Sequence, residues 1–437
     1  MIPKTLGRLK ALAPEIAAPD CHRRGEPINV IQSISKTSTS PDNPYRLGEL
    51  EALRGLMALW VLVGHVLLTF TDSDAIPNAA IRLICDNTRA VNVFMAMSGF
   101  VICCLLERER ERYGPYLARR FFRLYPAYIV CFFASIAFAT IAIEVLNRLS
   151  TQTPGISVRL DILHASRTHL GAHVATHLGM VHGLVPGRSM PYSEFAFLGQ
   201  AWSISVEWQF YVIAPLIWFL VKPPFSLTRL TILAALVAAL RLGSKWFGSA
   251  YIGSYELAFG VGIASFLLWE HRVRAPQWLI RHSSPVAIAV SVLWIIVTPR
   301  HWEFAIWLLV IVSSLCVATG ADRATRPDLP SRAVHALLTS RPLFWIGRVS
   351  YSVYLSHLLV LYVVLWALQS TGSRSLVNAP VVIAITTAGT LALSQILFST
   401  VERPFIDFAR SGYRRIYGFS FGGVKTADRL SADEANQ

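Results

Sequence analysis

Apolar runs long enough to cross a bilayer recur from Leu50 to Val401, separated by short segments in which the basic residues collect. The first reads LEALRGLMALWVLVGHVLLTF from Leu50. Further runs cover 90–106, 124–146, 201–221, 227–242, 249–269, 285–298, 302–320, 344–368 and 380–401. This pattern predicts an all-α protein, a polytopic transmembrane bundle of about ten helices. Residues 147–198 read as a long loop. Residues 1–46, rich in Pro, Ser, Thr and basic positions, read as a disordered cytoplasmic tail with no signal peptide. The bundle is expected over 47–408 and a second cytoplasmic tail over 409–437.

The basic residues orient the bundle. With the N-terminus in the cytoplasm, the inner segments hold Arg108, Arg110, Arg112, Arg119, Arg120 and Arg123, then Arg272, Arg274 and Arg281, then Arg323, Arg326, Arg332 and Arg341, then the stretch from Arg403. The short outer loops carry only residues such as Lys245, Arg300 and Arg374. This asymmetry predicts an even number of spans with both termini cytoplasmic. It also accounts for the formal charge of +14, so no nucleic-acid partner is expected. With 54% hydrophobic and 15% charged residues, the chain does not read as a large soluble core. The six cysteines make no CxxC or metal-type spacing and read as buried small hydrophobes.

Ionisable groups inside apolar runs are costly and point to function. Arg54 and His65 lie eleven positions apart on one predicted helix face, roughly 16 Å along its axis. A cation at one interface and an imidazole at depth suit a charged molecule held at one end and acted on at the other. A snorkelling arginine and a hydrogen-bonded core histidine are the structural alternative. Arg119, Arg120 and Arg123 open the third run, where guanidinium forks suit phosphates, or anchor the helix in the headgroup layer. Glu207 is a carboxylate about two turns into an apolar helix. Ser350, Tyr354 and His357 repeat at i, i+4, i+7 and share one face, as a site or as hydrogen bonds between helices. His169, His173 and His177 have a one-face spacing but no acidic or cysteine partner, so no metal is expected. Gly260 and Gly262 read as helix-packing glycines, and no GxSxG is present.

Taken together, LEALRGLMALWVLVGH, VFMAMSGFVI, YLARRFFRLYP, QAWSISVEWQFY, FWIGRVSYSVYLSH and VERPF resemble the acyltransferase family 3 integral membrane proteins. These are bacterial O-acyltransferases of surface polysaccharides, lipopolysaccharide, Nod factors and some antibiotics. The resemblance implies a catalytic role for His65, Glu207 and His357, and donor binding by Arg54, Arg120, Arg123 and Tyr354, with Arg119 of the same cluster expected to join in holding the donor. It implies acetyl-CoA as acyl donor, a glycan or lipid-linked saccharide as acceptor, and a multi-pass protein of the bacterial inner membrane. The hydrolase-like domain that many relatives carry is not expected after VERPF. Trp208 and Ser356 depart from common family residues beside the proposed site and leave the acceptor open. His65 would act as general base or as acyl carrier, with Glu207 orienting it if their helices are neighbours. A transporter or flippase of an anionic or lipid-linked solute would use similar intramembrane groups and is the alternative function.

Overall fold

The computed structural model describes residues 48–71, 78–109, 111–149, 153–271, 276–322, 326–372 and 377–417. The expected N-terminal tail and most of the C-terminal one lie outside the described residues. No strand occurs among those described. The helices are α1 (Gly48–Phe70), α2 (Ala79–Cys85), α3 (Asn87–Glu109), α4 (Tyr113–Ala137), α5 (Ala139–Asn147), α6 (Pro154–Thr168), α7 (Leu170–Leu178) and α8 (Trp202–Val221). They continue as α9 (Leu227–Gly243), α10 (Glu256–Glu270), α11 (Gln277–Arg281), α12 (Ser283–Val297), α13 (Glu303–Asp322), α14 (Leu329–Leu338), α15 (Arg341–Ser370), α16 (Ala379–Leu397) and α17 (Arg403–Tyr417). A π-helical segment, Phe398–Glu402, joins the last two.

Among the described residues six helical stretches are long and apolar enough to cross a membrane: Gly48–Phe70, Asn87–Glu109, Tyr113–Ala137, Gly199–Val221, Arg341–Ser370 and Ala379–Ser411. The chain is an all-α polytopic membrane protein. The other four expected spans fall on α9, α10, α12 and α13, which are shorter or less apolar helices. Leu216, Phe219, Leu293 and Ile296 stand exposed on α8 and α12, as lipid-facing positions do.

Two expectations need correction. The third span does not begin at Leu124: α4 starts at Tyr113, so the arginine cluster is helical, and the helix breaks at Phe138 before α5. Arginines cost a helix little, because their apolar stems pack while the charged heads reach polar partners. The segment 147–198 is not a plain loop either, since it folds α6 and α7. The Thr153 side chain accepts from the Ile156 N–H and Pro154 occupies the first turn of α6, a start signal for that helix.

Close helix approach sets the geometry of the core. Without a hydrophobic drive inside lipid, helices associate where small residues let their backbones meet. A Cβ on Gly347 of α15 would lie 1.9 Å from the Glu51 carbonyl oxygen of α1, and one on Gly55 would lie 2.8 Å from the Gly347 nitrogen. Gly99 on α3 and Gly262 on α10 pack against each other's helices in the same way, as a Cβ on either would strike the Phe259 or Ala96 carbonyl. The packing role read for Gly262 is therefore seen directly, whereas Gly260 has open space beside it. Helix α3 also lies against α1 and α8, and α15 against α4, α5 and α16.

Candidate active site

The parallel contact of α1 with α15 brings His65 and His357 together. Nδ1 of His65 lies 3.0 Å from Nε2 of His357 and 3.0 Å from the Val61 carbonyl oxygen. Nδ1 of His357 lies 2.8 Å from the Tyr354 carbonyl oxygen. Carbonyls only accept, so both Nδ1 atoms carry the proton. The bare Nε2 of His357 then accepts from His65, sharing that proton with Val61. His65 is left with a lone pair on Nε2, which makes no hydrogen bond among the described residues. An unprotonated imidazole nitrogen of this kind can act chemically as a base or as a nucleophile. His357 is fully buried, while His65 is half-buried and accessible.

Arg159 of α6 caps the pair. Its Nη2 donates to the His65 carbonyl at 3.2 Å and its Nη1 to Thr69 Oγ1 at 3.0 Å, placing a guanidinium beside the imidazoles. Sequence reading missed this residue because it falls in a segment taken as a loop. An arginine on a helix with no basic neighbours in its own turn is a weak signal, and only tertiary contact gives it a role.

Tyr354 faces the start of α8. Its hydroxyl lies 2.7 Å from Ser203 Oγ and donates to the Gln200 carbonyl at 3.1 Å, while Gln200 Nε2 donates back to the Leu355 carbonyl. Its position is set by these ties between helices, at the end of the bundle away from the arginines. Ser350 bonds its own helix at the Gly347 carbonyl, 2.7 Å away. Glu207 makes no hydrogen bond to His65. Its Oε1 accepts from Ser98 Oγ at 3.0 Å and, closely, from the Tyr211 hydroxyl. Helix α8 packs chiefly against α3, α4 and α9, and the side chain bonded to His65 is His357 and not Glu207.

The arginines gather at the other end. Arg120 lies over the Tyr211 ring, 5.9 Å from its centroid, and its buried Nε has no hydrogen-bond partner among the described residues. Arg54 pairs with Glu51 at 3.1 Å. Arg123 pairs closely with buried Glu402, whose second oxygen accepts from Ser352 at 3.0 Å. Glu402 also lies within electrostatic reach of Arg54. Arg119 is held closely by both Glu109 and Glu111, so it stands apart from this group with its charge already matched. Glu402 had a signal in the sequence: an acid closing an apolar run needs a buried cation.

Residues 47–399 match the family model of acyltransferase family 3, an acyltransferase domain. The chain belongs to this family. It is similar to acyltransferase MdmB of Streptomyces mycarofaciens, 24% identical over 90% of this chain and 98% of that protein. It is also similar to peptidoglycan O-acetyltransferase YrhL of Bacillus subtilis (strain 168), 23% identical over 87% of this chain and 58% of that protein. No solved structure matches the chain. The protein is a membrane O-acyltransferase, and the resemblance read from its six sequence blocks holds over most of its length.

His173 and His177 lie on α7, and His169 is its N-cap, its carbonyl accepting from the His173 N–H at 3.0 Å. His177 is bonded to Tyr128 at 2.8 Å and to the Ser193 carbonyl at 3.1 Å and stacks on His182, 4.0 Å between centroids. Burial lowers His182 to about 4, against a smaller raising effect of its bond to Ala201, so that ring is neutral at physiological pH. No group of three or more His, Cys, Asp or Glu that could hold a metal occurs among the described residues.

Proposed function

We propose that the protein transfers an acetyl group from cytoplasmic acetyl-CoA to a hydroxyl of a surface or exported glycan, and that His65 is the catalytic group. The observation that carries this reading is the bare Nε2 of His65, held by the His357 and Val61 contacts of Nδ1 on the same helix pair that ends in charged residues. Arg54 and Arg120 would meet the CoA phosphates, with Arg123 released from Glu402 as a further donor. Arg119 is less suited, since two glutamates already balance it. The bias of the basic segments supports a cytoplasmic face for this end, and transfer from cytoplasmic acetyl-CoA to an exported glycan would call for the bacterial inner membrane.

Two routes fit the lone pair. As general base, Nε2 takes the proton of the acceptor hydroxyl while its oxygen attacks the thioester carbonyl. The C–S bond then breaks and the proton passes to the CoA thiolate. As acyl carrier, Nε2 attacks the carbonyl itself, the C–S bond breaks and CoA leaves as thiolate; the acceptor hydroxyl oxygen then attacks the acyl carbon, the N–acyl bond breaks, and the hydroxyl proton passes to the freed Nε2 and from it to the CoA thiolate. In either route positive charge builds on His65, which the neutral Nε2 of His357 stabilises through Nδ1–H. Arg159 would supply donors to the oxyanion of the tetrahedral intermediate. Once the chain belongs to an acyltransferase family, no observation favours the transporter reading.

Membranes carrying wild type or His65→Ala at matched levels, supplied with acetyl-labelled acetyl-CoA, test the proposal. Label in the glycan from wild type only, with stoichiometric CoA release, is the expected result. Transfer that survives His65→Ala refutes the catalytic assignment, and absence of acetyl-CoA turnover by wild type refutes the donor.

A further inference from the structure

Helix α9 is unusual in the bundle: none of its residues is buried, although it is apolar along most of its length. It leans on α8 and on the short turn Ile252–Ser254, and stands off from α10. The gap between α9 and α10 is a half-open cavity of about 720 Å³, lined by Val237, Arg241, Glu256, Leu257, Gly260 and Val261 among others.

The lining holds four polar residues, Arg241, Ser254, Glu256 and His301, and four apolar ones. Arg241 in the last turn of α9 and Glu256 in the first turn of α10 form a close ion pair at one end, away from the arginine cluster of α4. Val237, Leu257, Gly260 and Val261 continue from that pair into the bundle with no charge among them. Gly260 meets nothing within 4 Å at its Cβ position, so its missing side chain leaves the groove open. The ion pair is incomplete. Oε1 of Glu256 is taken by Arg241, but Oε2 is buried and has no hydrogen-bond partner among the described residues. A carboxylate oxygen shielded from water without a donor is costly, and so calls for one. Arg241 itself is 72% exposed and keeps donors free for an anion.

From this charge arrangement we infer that the α9–α10 groove binds a phospholipid whose headgroup carries a primary ammonium, a phosphatidylethanolamine. Its ammonium donates N–H to the Glu256 carboxylate once that side chain turns Oε2 from its shielded position into the groove, its phosphate meets Arg241, and one acyl chain lies along Leu257, Gly260 and Val261. Phosphatidylcholine offers the same chain, phosphate and positive charge but no N–H, so the orphaned oxygen separates the two. An anionic lipid such as phosphatidylglycerol would bring a second negative charge beside Glu256 without an ammonium to balance it.

The test uses the full-length protein in detergent, titrated with equimolar phosphatidylethanolamine and phosphatidylcholine of identical chains and read by native mass spectrometry. The expected result is an ethanolamine preference of about tenfold or more, the size of one charge-assisted hydrogen bond. Along the N-methylated series, binding should hold until the last N–H is lost. Glu256→Gln should bring the two lipids close to parity. Gly260→Leu, which fills the groove and leaves the ion pair intact, should reduce retention of both. Equal retention by wild type, no lipid retained, a phosphatidylglycerol preference, or an ethanolamine preference that survives both substitutions would each overturn the inference.

Discussion

Removing the partner of His65 tests the chemistry most directly. In His357→Ala the Nδ1–H of His65 keeps the Val61 carbonyl, 3.0 Å away, so the tautomer and the bare Nε2 persist. What is lost is the second acceptor, at 3.0 Å, which matters most when the imidazole becomes charged during transfer. A hydrogen bond to a charged group contributes about 1.5–3 kcal/mol, equivalent to roughly 10- to 150-fold in rate. The loss should fall on kcat, with the KM for acyl-CoA within about twofold, since the arginines lie at the other end of the helix pair. His357→Gln, able to present an amide oxygen near the lost nitrogen, should recover part of that loss. On a His65→Ala background the same substitution should cost little further, as expected of residues that act as one unit. The assay is initial-rate transfer of labelled acetyl to glycan in membranes matched for protein amount. A His357→Ala enzyme within threefold of wild-type kcat, or one whose whole defect lies in KM, would refute the orienting role.

Other expectations follow from the same contacts. Gly347→Ala places a methyl 1.9 Å from the Glu51 carbonyl oxygen, so α1 and α15 must part; we expect about 1–3 kcal/mol of lost stability, read as a lowered Tm in detergent, and near-complete loss of transfer. Arg159→Gln should lower kcat by about tenfold or more, as expected for losing a charged donor at the reacting centre, while Arg159→Lys recovers part of it; unchanged kcat in both would make Arg159 a purely structural tie. Outside the spans, His335 is raised above its ordinary value by its hydrogen bond to Glu49, 2.5 Å away, against the lowering effect of burial. A raised folded-state value means this tie of α14 to α1 is fully present below pH ~6.5 and lost as pH rises through the folded-state value above it. His335→Ala should therefore lower Tm at pH 5.5 and have less effect at pH 8.5, by under about 1 kcal/mol for so exposed a histidine; a larger penalty at pH 8.5 would contradict the assignment.

The apolar runs made the helices legible, because burying a backbone in lipid leaves few alternatives. They did not show where a helix enters its polar ends. The arginines of α4 lie inside the helix, and a segment with low mean hydropathy holds α6 and α7. Intramembrane cost singled out Arg54, His65, Glu207 and His357, but cost names a residue and not its partner. His65 and His357 lie 292 positions apart, and the contact that joins them is made by Gly55 and Gly347, whose small size says only that something approaches. Glu207 can orient His65 only if their helices are neighbours, which the sequence does not show, and the packing instead sets Ser98 and Tyr211 beside it. Glu402 carries the same intramembrane cost but its partner Arg123 comes only from the packing, and Arg159 lies in a segment that reads as a loop.

The glycine contact also explains why the two ends of the site belong together. His65 lies ten positions beyond Gly55, and His357 ten positions beyond Gly347. Helices α1 and α15 therefore run parallel and in step from their closest approach to the histidine pair, roughly 15 Å along the axis. At the near end of the same pair Arg54 is bonded to Glu51, and midway along it Ser352 is bonded to the Glu402 that holds Arg123. A parallel pair locked at one point has little freedom to slide, because a shift of one residue would turn His65 by about 100° and break its bond to His357. The distance from Arg54 to His65 is thus a property of one helix held in register by its partner and does not depend on loop conformation. On this reading a donor is selected by length as much as by charge: only a molecule that puts its anionic end on the arginines and its acyl group that far away meets the bare nitrogen of His65.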